Sequence, residues 1–214
     1  MNTCFEFAAN YIGPISSAVA IGFFLFRRKT LDLPAKVLFC LTILSFLTDC
    51  ITSVLAGYKM NNLMVMHVYT VLELFFYCFF YSLLFKSISS KYYLLVLSLV
   101  LLSAELVDAF YISKLSRINS IASYCEALAF MVVSLLFFYS MIKNLPQKNI
   151  LNYPLFWFNS GILIYFSGNL FLYLFISFVN PQDSRFLGDL WNINSFLYFS
   201  YNLFLIAGAW KSRK

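Results

Sequence analysis

The sequence predicts an all-α integral membrane protein with seven transmembrane helices. Of its 214 residues, 62% are hydrophobic and 21% aromatic, whereas only 11% are charged. A soluble domain carries roughly 25% charged residues, so this composition is typical of a chain embedded in lipid. Apolar stretches recur along the whole length and leave no room for a separate soluble domain. We therefore expect residues 1–214 to form one transmembrane domain.

Polar breaks divide the chain into seven apolar stretches, most of them near the length of about 20 residues that a membrane helix needs. The breaks contain Pro, Asn and charged residues, where a helix must stop. No basic region precedes the first stretch, so we expect it to stay as a helix and not to be cleaved as a signal peptide. The predicted spans are residues 11–26, 37–57, 63–85, 92–112, 119–142, 155–179 and 190–210.

Basic residues predict the orientation, because short cytoplasmic loops retain Lys and Arg. One side of the seven spans, which includes the carboxyl terminus, holds 11 of the 15 Lys and Arg residues, and the other side holds 4. The sequence therefore predicts an amino terminus outside the membrane and a carboxyl terminus in the cytoplasm. The net charge of +6 is divided among several short loops, so no nucleic-acid partner is expected.

Acidic side chains inside the predicted spans indicate a candidate site, since each costs about 2.5 to 3.5 kcal/mol to insert into a bilayer. Asp49, Glu73 and Glu126 lie in the second, third and fifth spans. In the predicted orientation all three lie in the outer half of the membrane or near its mid-depth, and the cytoplasmic halves are nearly free of such groups. This asymmetry predicts a pocket that opens outward. It disfavours a channel, whose polar residues would continue to the inner face.

The acidic residues have two competing interpretations. Glu105 and Asp108 lie toward the outer end of the fourth span, and for them and Glu126 snorkelling or hydration at the membrane surface is a sufficient explanation. His67 begins the third span, where an interfacial histidine hydrogen-bonded to water or to a neighbour needs no further role. Glu73 lies too deep for hydration, so it requires a proton, a ligand or a buried tie to an Asn or Tyr.

Helical spacing extends the predicted pocket, because residues three or four positions apart share one face of a helix. Tyr69 and Tyr77 share the face of Glu73, and His67 points away from it by roughly a third of a turn. The sixth and seventh spans each carry a face of Tyr and Asn side chains, and we expect both faces to converge on Glu73 and Asp49. The predicted ligand pocket consists of Asp49, His67, Tyr69, Glu73, Tyr77, Glu126, Tyr165, Asn169, Asn194, Tyr198 and Asn202.

Several chemistries are disfavoured by what the sequence lacks. The seventh span has no lysine for a retinal Schiff base, and the single histidine cannot supply the ligands of a zinc hydrolase or of a bis-histidine haem. Neither a nucleophile elbow nor a phosphate-binding glycine loop is present. No metal site and no cofactor are predicted. The five cysteines lack metal-binding spacing and are expected to pack as small apolar side chains.

Three stretches, "HVYTVLELFFY", "FWFNSGILIYFSGNLFLYLF" and "LWNINSFLYFSYNLFLIAGAW", resemble uncharacterised seven-helix membrane proteins common in Bacteroidota. Some of those proteins are similar to membrane modules that precede signalling kinases. The resemblance implies a bacterial inner (cytoplasmic) membrane protein with a sensing role. Because the chain ends soon after the seventh span, we expect a signal to pass to a separate cytoplasmic protein. Membrane lipids and a small or lipidic ligand are the other expected partners.

A fainter resemblance is to the lysoplasmalogenase family of integral membrane hydrolases. Asp49, His67 with Tyr69, and "GILIYFSGN" with Asn169 would occupy the places of that family's motifs. The family's late acidic residue is replaced by Asn169, and the chain has one predicted helix fewer than that family. If the chain hydrolysed lipids, the resemblance implies Asp49 and Glu73 as the acid and the base.

The sequence favours a receptor-like or sensor-like membrane protein with an outward-facing pocket over an enzyme. An intramembrane lipid hydrolase of lysoplasmalogenase type is the alternative. A structural or assembly subunit, in which buried acids pair across helices and bind nothing, is the third interpretation.

Overall fold

The computed structural model describes residues 3–112, 120–144, 149–178 and 184–212, and within these ranges it contains helices and no strand. A π-helical turn, Asp108–Ile112, continues the fourth α-helix, and a 3₁₀ turn, Ile150–Asn152, precedes the sixth. The prediction of an all-α fold is confirmed. The seven α-helices in these ranges are α1 (Thr3–Arg27), α2 (Leu33–Gly57), α3 (Leu63–Leu84), α4 (Ile88–Val107), α5 (Ser120–Lys143), α6 (Pro154–Phe178) and α7 (Ser184–Lys211).

The helix ends differ from the predicted spans mainly where a helix continues into polar sequence. The seventh span was predicted to begin at residue 190, whereas α7 begins at Ser184. The segment "SRFLGD" before the apolar stretch is also helical, although it contains polar residues. α2 begins at Leu33 and holds Pro34 in its first turn, a position where the missing N–H of proline costs no hydrogen bond. Apolar sequence marks the part of a helix that lipid can surround, whereas the backbone hydrogen bonds continue beyond it.

Five of the described helices are long and apolar enough to cross a membrane. Only 17% to 39% of the most apolar stretch of each is buried inside the protein, so most of these apolar side chains face outward. An exposed apolar surface of that extent is stable in lipid and not in water. The chain is therefore a membrane protein. The five segments are Leu33–Gly57, Leu63–Leu84, Ile88–Ile112, Ile121–Lys143 and Pro154–Ile176, and Tyr11–Arg27 of α1 is a shorter apolar stretch.

The contacts divide the chain into two compact units. The α1/α7 unit comprises residues 1–32 and 127–214, and so contains α1, most of α5, α6 and α7 in its described part. The α2–α4 unit comprises residues 33–126 and ends in the first turns of α5.

Within the α1/α7 unit, α6 and α7 approach each other closely because glycines remove side chains from their interface. A Cβ atom added at Gly168 of α6 would lie 2.5 Å from the side chain of Leu197, and one added at Gly208 of α7 would overlap the ring of Phe158. The late part of α6 thus meets the middle of α7, and the early part of α6 meets the end of α7. The two helices are antiparallel.

α1 lies parallel to α7 in the same unit. Asn202 donates a hydrogen bond from Nδ2 to the Ser16 Oγ atom at 2.9 Å. At the last turns of the two helices, the Arg27 guanidinium lies 4.8 Å from the ring centroid of Trp210. Since residue numbers rise together along both helices, α1 and α7 run in the same direction.

In the α2–α4 unit, α3 packs against both α2 and α4. The free thiols of Cys40 and Cys50 are exposed on α2, so these two cysteines do not pack in the interior of the described structure.

The close contact at Gly208 yields a stability prediction. We expect Gly208→Ala to lower the free energy of unfolding by about 1 to 3 kcal/mol, because the added methyl group overlaps the Phe158 ring. Gly22→Ala in α1 is the matched control, since a Cβ atom there meets nothing within 4 Å. Thermal unfolding of each purified variant in detergent measures the two changes in stability. Equal losses of stability in the two variants would contradict the packing argument.

Candidate functional site

The candidate site lies on the buried face of α3. The buried residues of this helix include His67, Glu73 and Tyr77. Glu73 and Tyr77 are one turn apart and share a face, as the helical spacing predicts. His67 is only 6% exposed, which favours a bond to a neighbour over a bond to water. His67 and Leu74 are two turns apart on the same buried face of α3.

Tyr69 connects Glu73 to the neighbouring helix α2. Its hydroxyl donates to the Glu73 Oε1 atom at 3.3 Å and lies 3.2 Å from the Oγ atom of Ser45. Tyr69 and Glu73 are four residues apart, so both side chains stand on one face of α3. Asp49 lies one turn beyond Ser45 on α2 and is half-buried. The hydroxyl groups of Tyr69 and Ser45 thus give Glu73 a hydrogen-bonded environment within the α2–α4 unit.

Two further carboxyl groups lie near Glu73. Electrostatic repulsion links three carboxyl groups, those of Glu73, Glu105 and Glu126. The Glu126 carboxyl group interacts with both of the others. Glu105 and Glu126 are each only 3% exposed, and Glu73 is 8% exposed. We call these three side chains the carboxyl cluster. Because several like charges in a medium of low polarity repel strongly, the cluster must hold protons or be compensated by a positive or proton-donating group.

Glu126 shows that the described residues do not supply every hydrogen bond that the carboxyl cluster can accept. Its Oε1 atom is buried and has no hydrogen-bond partner in the part of the chain that the structure describes. A buried polar oxygen without a partner costs about 1 to 3 kcal/mol, and more when it is charged. The oxygen is therefore available to a donor that is not part of the described chain.

The carboxyl cluster does not have the arrangement of a metal centre. Among the described residues, no group of three His, Cys, Asp or Glu side chains is placed to hold a metal ion. The chemistry that the cluster offers is hydrogen bonding, charge compensation and proton exchange.

The predicted pocket did not include Glu105 or Ser45. Glu105, Asp108 and Glu126 were expected to be hydrated at the membrane surface, yet each is 3% exposed. The sequence did contain a signal for the first two, because they lie three positions apart in an otherwise apolar segment and so share one helix face. Ser45 gave no signal, since a serine in an apolar helix bonds its own backbone as readily as a neighbour.

The other predicted pocket residues lie in the α1/α7 unit, where several bond to each other. Asn194 donates from Nδ2 to the Asn169 Oδ1 atom at 2.8 Å, which ties α7 to α6. The ring centroids of Tyr165 and Tyr198 are 6.2 Å apart. These side chains form a polar and aromatic contact between helices. The predicted convergence of this group with Glu73 and Asp49 stays a prediction.

No protein-family model, no curated protein and no solved structure matches this chain at a significant level.

A polar tie between α5 and α6 was absent from the predicted site. The Ser134 Oγ atom donates to the Asn159 Oδ1 atom at 3.0 Å, and Asn159 Nδ2 donates to the Ser134 carbonyl at 3.1 Å. Both side chains are fully buried. Two reciprocal bonds satisfy the amide on both of its sides, so this pair holds the two helices in register.

We expect Asn159→Leu to lower the free energy of unfolding by about 1 to 2 kcal/mol, since it removes both side-chain bonds between Asn159 and Ser134. The Ser134 hydroxyl keeps the backbone carbonyl of residue 159 as an acceptor, at 3.3 Å. Ser103→Ala is the control, because the exposed Ser103 hydroxyl bonds only the Val100 carbonyl of its own helix. Thermal unfolding in detergent provides the comparison. A midpoint for Asn159→Leu equal to that of Ser103→Ala would show that the tie adds no stability.

Proposed function

We propose that the chain is a receptor-like or sensor-like protein of seven transmembrane helices in the bacterial inner membrane. The observation that carries the proposal is the carboxyl cluster, Glu73, Glu105 and Glu126, buried among membrane helices with one oxygen of Glu126 unpartnered in the described chain. Ionisable groups in a membrane interior are costly and are retained where they serve a function.

The packing of α1 against α7 supports seven crossings. Five helices long enough to cross a membrane lie between them in the sequence. An odd number of intervening crossings requires the first and last helices to run in the same direction, and α1 and α7 are parallel. A seven-span arrangement with the amino terminus outside and the carboxyl terminus in the cytoplasm is consistent with this packing and with the distribution of Lys and Arg.

The site lies near one end of its helices, which supports an outward-facing pocket. Tyr69 and Glu73 are in the first half of α3, Glu105 is near the end of α4, and Glu126 is near the start of α5. In the proposed orientation Glu105 and Glu126 are in the outer half of the membrane, and Glu73 is near its mid-depth. A ligand would enter from the outer side, or sideways from the outer leaflet.

The proposed ligand is a small or lipidic molecule that offers hydrogen-bond donors. Carboxyl groups of the cluster that are ionised only accept hydrogen bonds, whereas any that keep a proton can also donate one. The Tyr69 hydroxyl supplies a donor to Glu73, whereas Glu126 Oε1 accepts from no group in the described chain. A ligand with hydroxyl, amide or amine groups complements this arrangement. A separate cytoplasmic protein is the proposed recipient of the signal.

A structural or assembly subunit is the second candidate. It is favoured by the helix-to-helix bonds Asn194 to Asn169 and Asn202 to Ser16, which hold buried polar side chains together without a ligand. The Asn202 Oδ1 atom, however, is buried without a partner in the described chain. This candidate leaves the unpartnered Glu126 oxygen without an explanation.

Native mass spectrometry of gently extracted protein tests the ligand site. We expect wild-type protein to carry a specific co-purifying small molecule or lipid, and Glu73→Gln to lose it. Glutamine keeps the size of the side chain and can still accept from Tyr69, so the variant should fold. Asp189→Asn is the control, since Asp189 is exposed on α7 and the same charge is removed there.

Identical adducts in wild type, Glu73→Gln and Asp189→Asn, with all three folded by circular dichroism, would sink the proposal of a ligand site at Glu73. Loss of the adduct in both variants would indicate binding that depends on overall charge and not on this site.

Cysteine labelling tests the orientation. We expect Lys59→Cys, in the exposed turn after α2, to react with a membrane-impermeant maleimide added to bacterial spheroplasts. Lys91→Cys, in the exposed first turn of α4, should react only after the membrane is opened. The wild-type chain measures the background from its native thiols. The reverse pattern would invert the orientation, and labelling of both from one side would contradict a crossing by α3.

A further inference from the structure

The ends of α1 and α7 that meet at Arg27 and Trp210 form a basic and aromatic surface, which we call the basic end. It consists of Arg27, Arg28 and Lys29 at the end of α1, and Trp210 and Lys211 at the end of α7. Arg28 and Lys29 are exposed, and Trp210 is half exposed. The contacts of Arg27 bring the two helix ends together.

Arg27 is held in place by Trp210 in two ways. Its guanidinium lies 4.8 Å from the centroid of the Trp210 ring, and an Nη atom donates to the Trp210 carbonyl at 3.4 Å. Arginine has five N–H donors. The Nε atom is buried, so the Nη atoms are the donors that an outside acceptor can reach. The Trp210 carbonyl accepts from one Nη atom, and the other Nη protons of the oriented guanidinium remain for a further acceptor.

Lys211 is the next residue after Trp210 and adds a second cation. Its Nζ atom donates to the Asn152 Oδ1 atom at 3.2 Å, in the turn that precedes α6. One hydrogen bond leaves two ammonium protons for another acceptor. The first turn of α6 lies beside this contact, and the positive end of that helix dipole adds to the positive potential.

One acidic residue reduces the positive charge of this region. Burial and, to a smaller extent, the charge of Asp32 raise the pKa of the Tyr153 hydroxyl, which shows that Asp32 stands near the start of α6. Among the described residues, the four cations at the basic end outnumber this carboxylate, so the described surface is positive at neutral pH.

We infer that the basic end binds the phosphate group of an anionic membrane phospholipid. Arginine and lysine with free N–H donors match phosphate oxygens, and arginine can bond two of them at once. Basic clusters between membrane helices on the cytoplasmic side are suited to anionic head groups. The aromatic side chains favour a lipid over a free phosphate, because Trp210 and the exposed Phe26 offer apolar surface to the acyl chains beside the head group.

This inference does not depend on the proposed ligand site, because its residues lie in the α1/α7 unit and the carboxyl cluster lies in the α2–α4 unit. The two can therefore succeed or fail separately.

Native mass spectrometry with added lipid tests the inference. Purified protein is titrated with phosphatidylglycerol or with phosphatidylcholine of the same acyl chains, and with glycerol 3-phosphate as a soluble head group. We expect phosphatidylglycerol to bind more tightly than phosphatidylcholine, and glycerol 3-phosphate to bind far more weakly than either. Arg27→Gln and Lys211→Gln should each weaken phosphatidylglycerol binding about fivefold. They should weaken phosphatidylcholine binding by less, because its choline cation already compensates the phosphate charge.

Lys91→Gln is the matched control, because it removes an exposed lysine from α4. It should leave the preference for phosphatidylglycerol intact. Arg28→Gln is a surface variant that disturbs no helix contact and should also weaken binding, which protects the test if Arg27→Gln fails to fold. Equal binding of the two lipids, an equal effect of Lys91→Gln and Lys211→Gln, or glycerol 3-phosphate binding as tight as that of phosphatidylglycerol would each overturn the inference.

Discussion

A polar group inside a membrane protein must find its hydrogen-bond partner within the protein, because hydrocarbon offers none. Most described features of this structure follow from that constraint. Asn159 and Ser134 satisfy each other between α5 and α6, and Asn194 satisfies Asn169 between α7 and α6. These bonds fix the register of helices whose apolar surfaces would otherwise pack in many ways, since lipid and side chains are almost equally apolar.

The carboxyl cluster meets the same constraint differently. Amides of the α1/α7 unit can bond to one another, since each has both donors and an acceptor, although the Asn202 Oδ1 atom has no partner in the described chain. Ionised carboxylates are acceptors only and cannot satisfy each other. The hydroxyl of Tyr69 supplies Glu73 with a donor, and Glu126 keeps an unpartnered oxygen in the described chain. This difference in hydrogen bonding is the basis of the proposed function. The amides stabilise the fold, whereas the carboxyl groups can bind a ligand or a proton.

At the end of α1 and α7 a charged side chain makes the contact between helices, whereas amide side chains make such contacts further inside. At the end of α1 and α7, Arg27 stacks on Trp210 and bonds its carbonyl, so a cation compensates the negative end of a helix dipole. Gly208 lets α7 approach Phe158 of α6. Gly208 and Trp210 lie in the same last turn of α7, so the close contact with α6 and the basic aromatic contact with α1 both fix this end of the helix.

The sequence by itself determined the membrane class, the all-α fold, the positions of the helices and the presence of buried acids, because composition and apolar run length act locally along the chain. It placed Glu73 correctly on the buried face of α3 through helical spacing. The tertiary structure alone decided which polar groups meet. Glu105 looked like an interfacial residue because it lies near the end of its apolar run, yet helix packing buries it near Glu73. The sequence did not predict that Ser45 contacts Tyr69 or that Arg27 contacts Trp210. Such contacts depend on the rotation of one helix against another, which the pattern of residues along the chain does not specify.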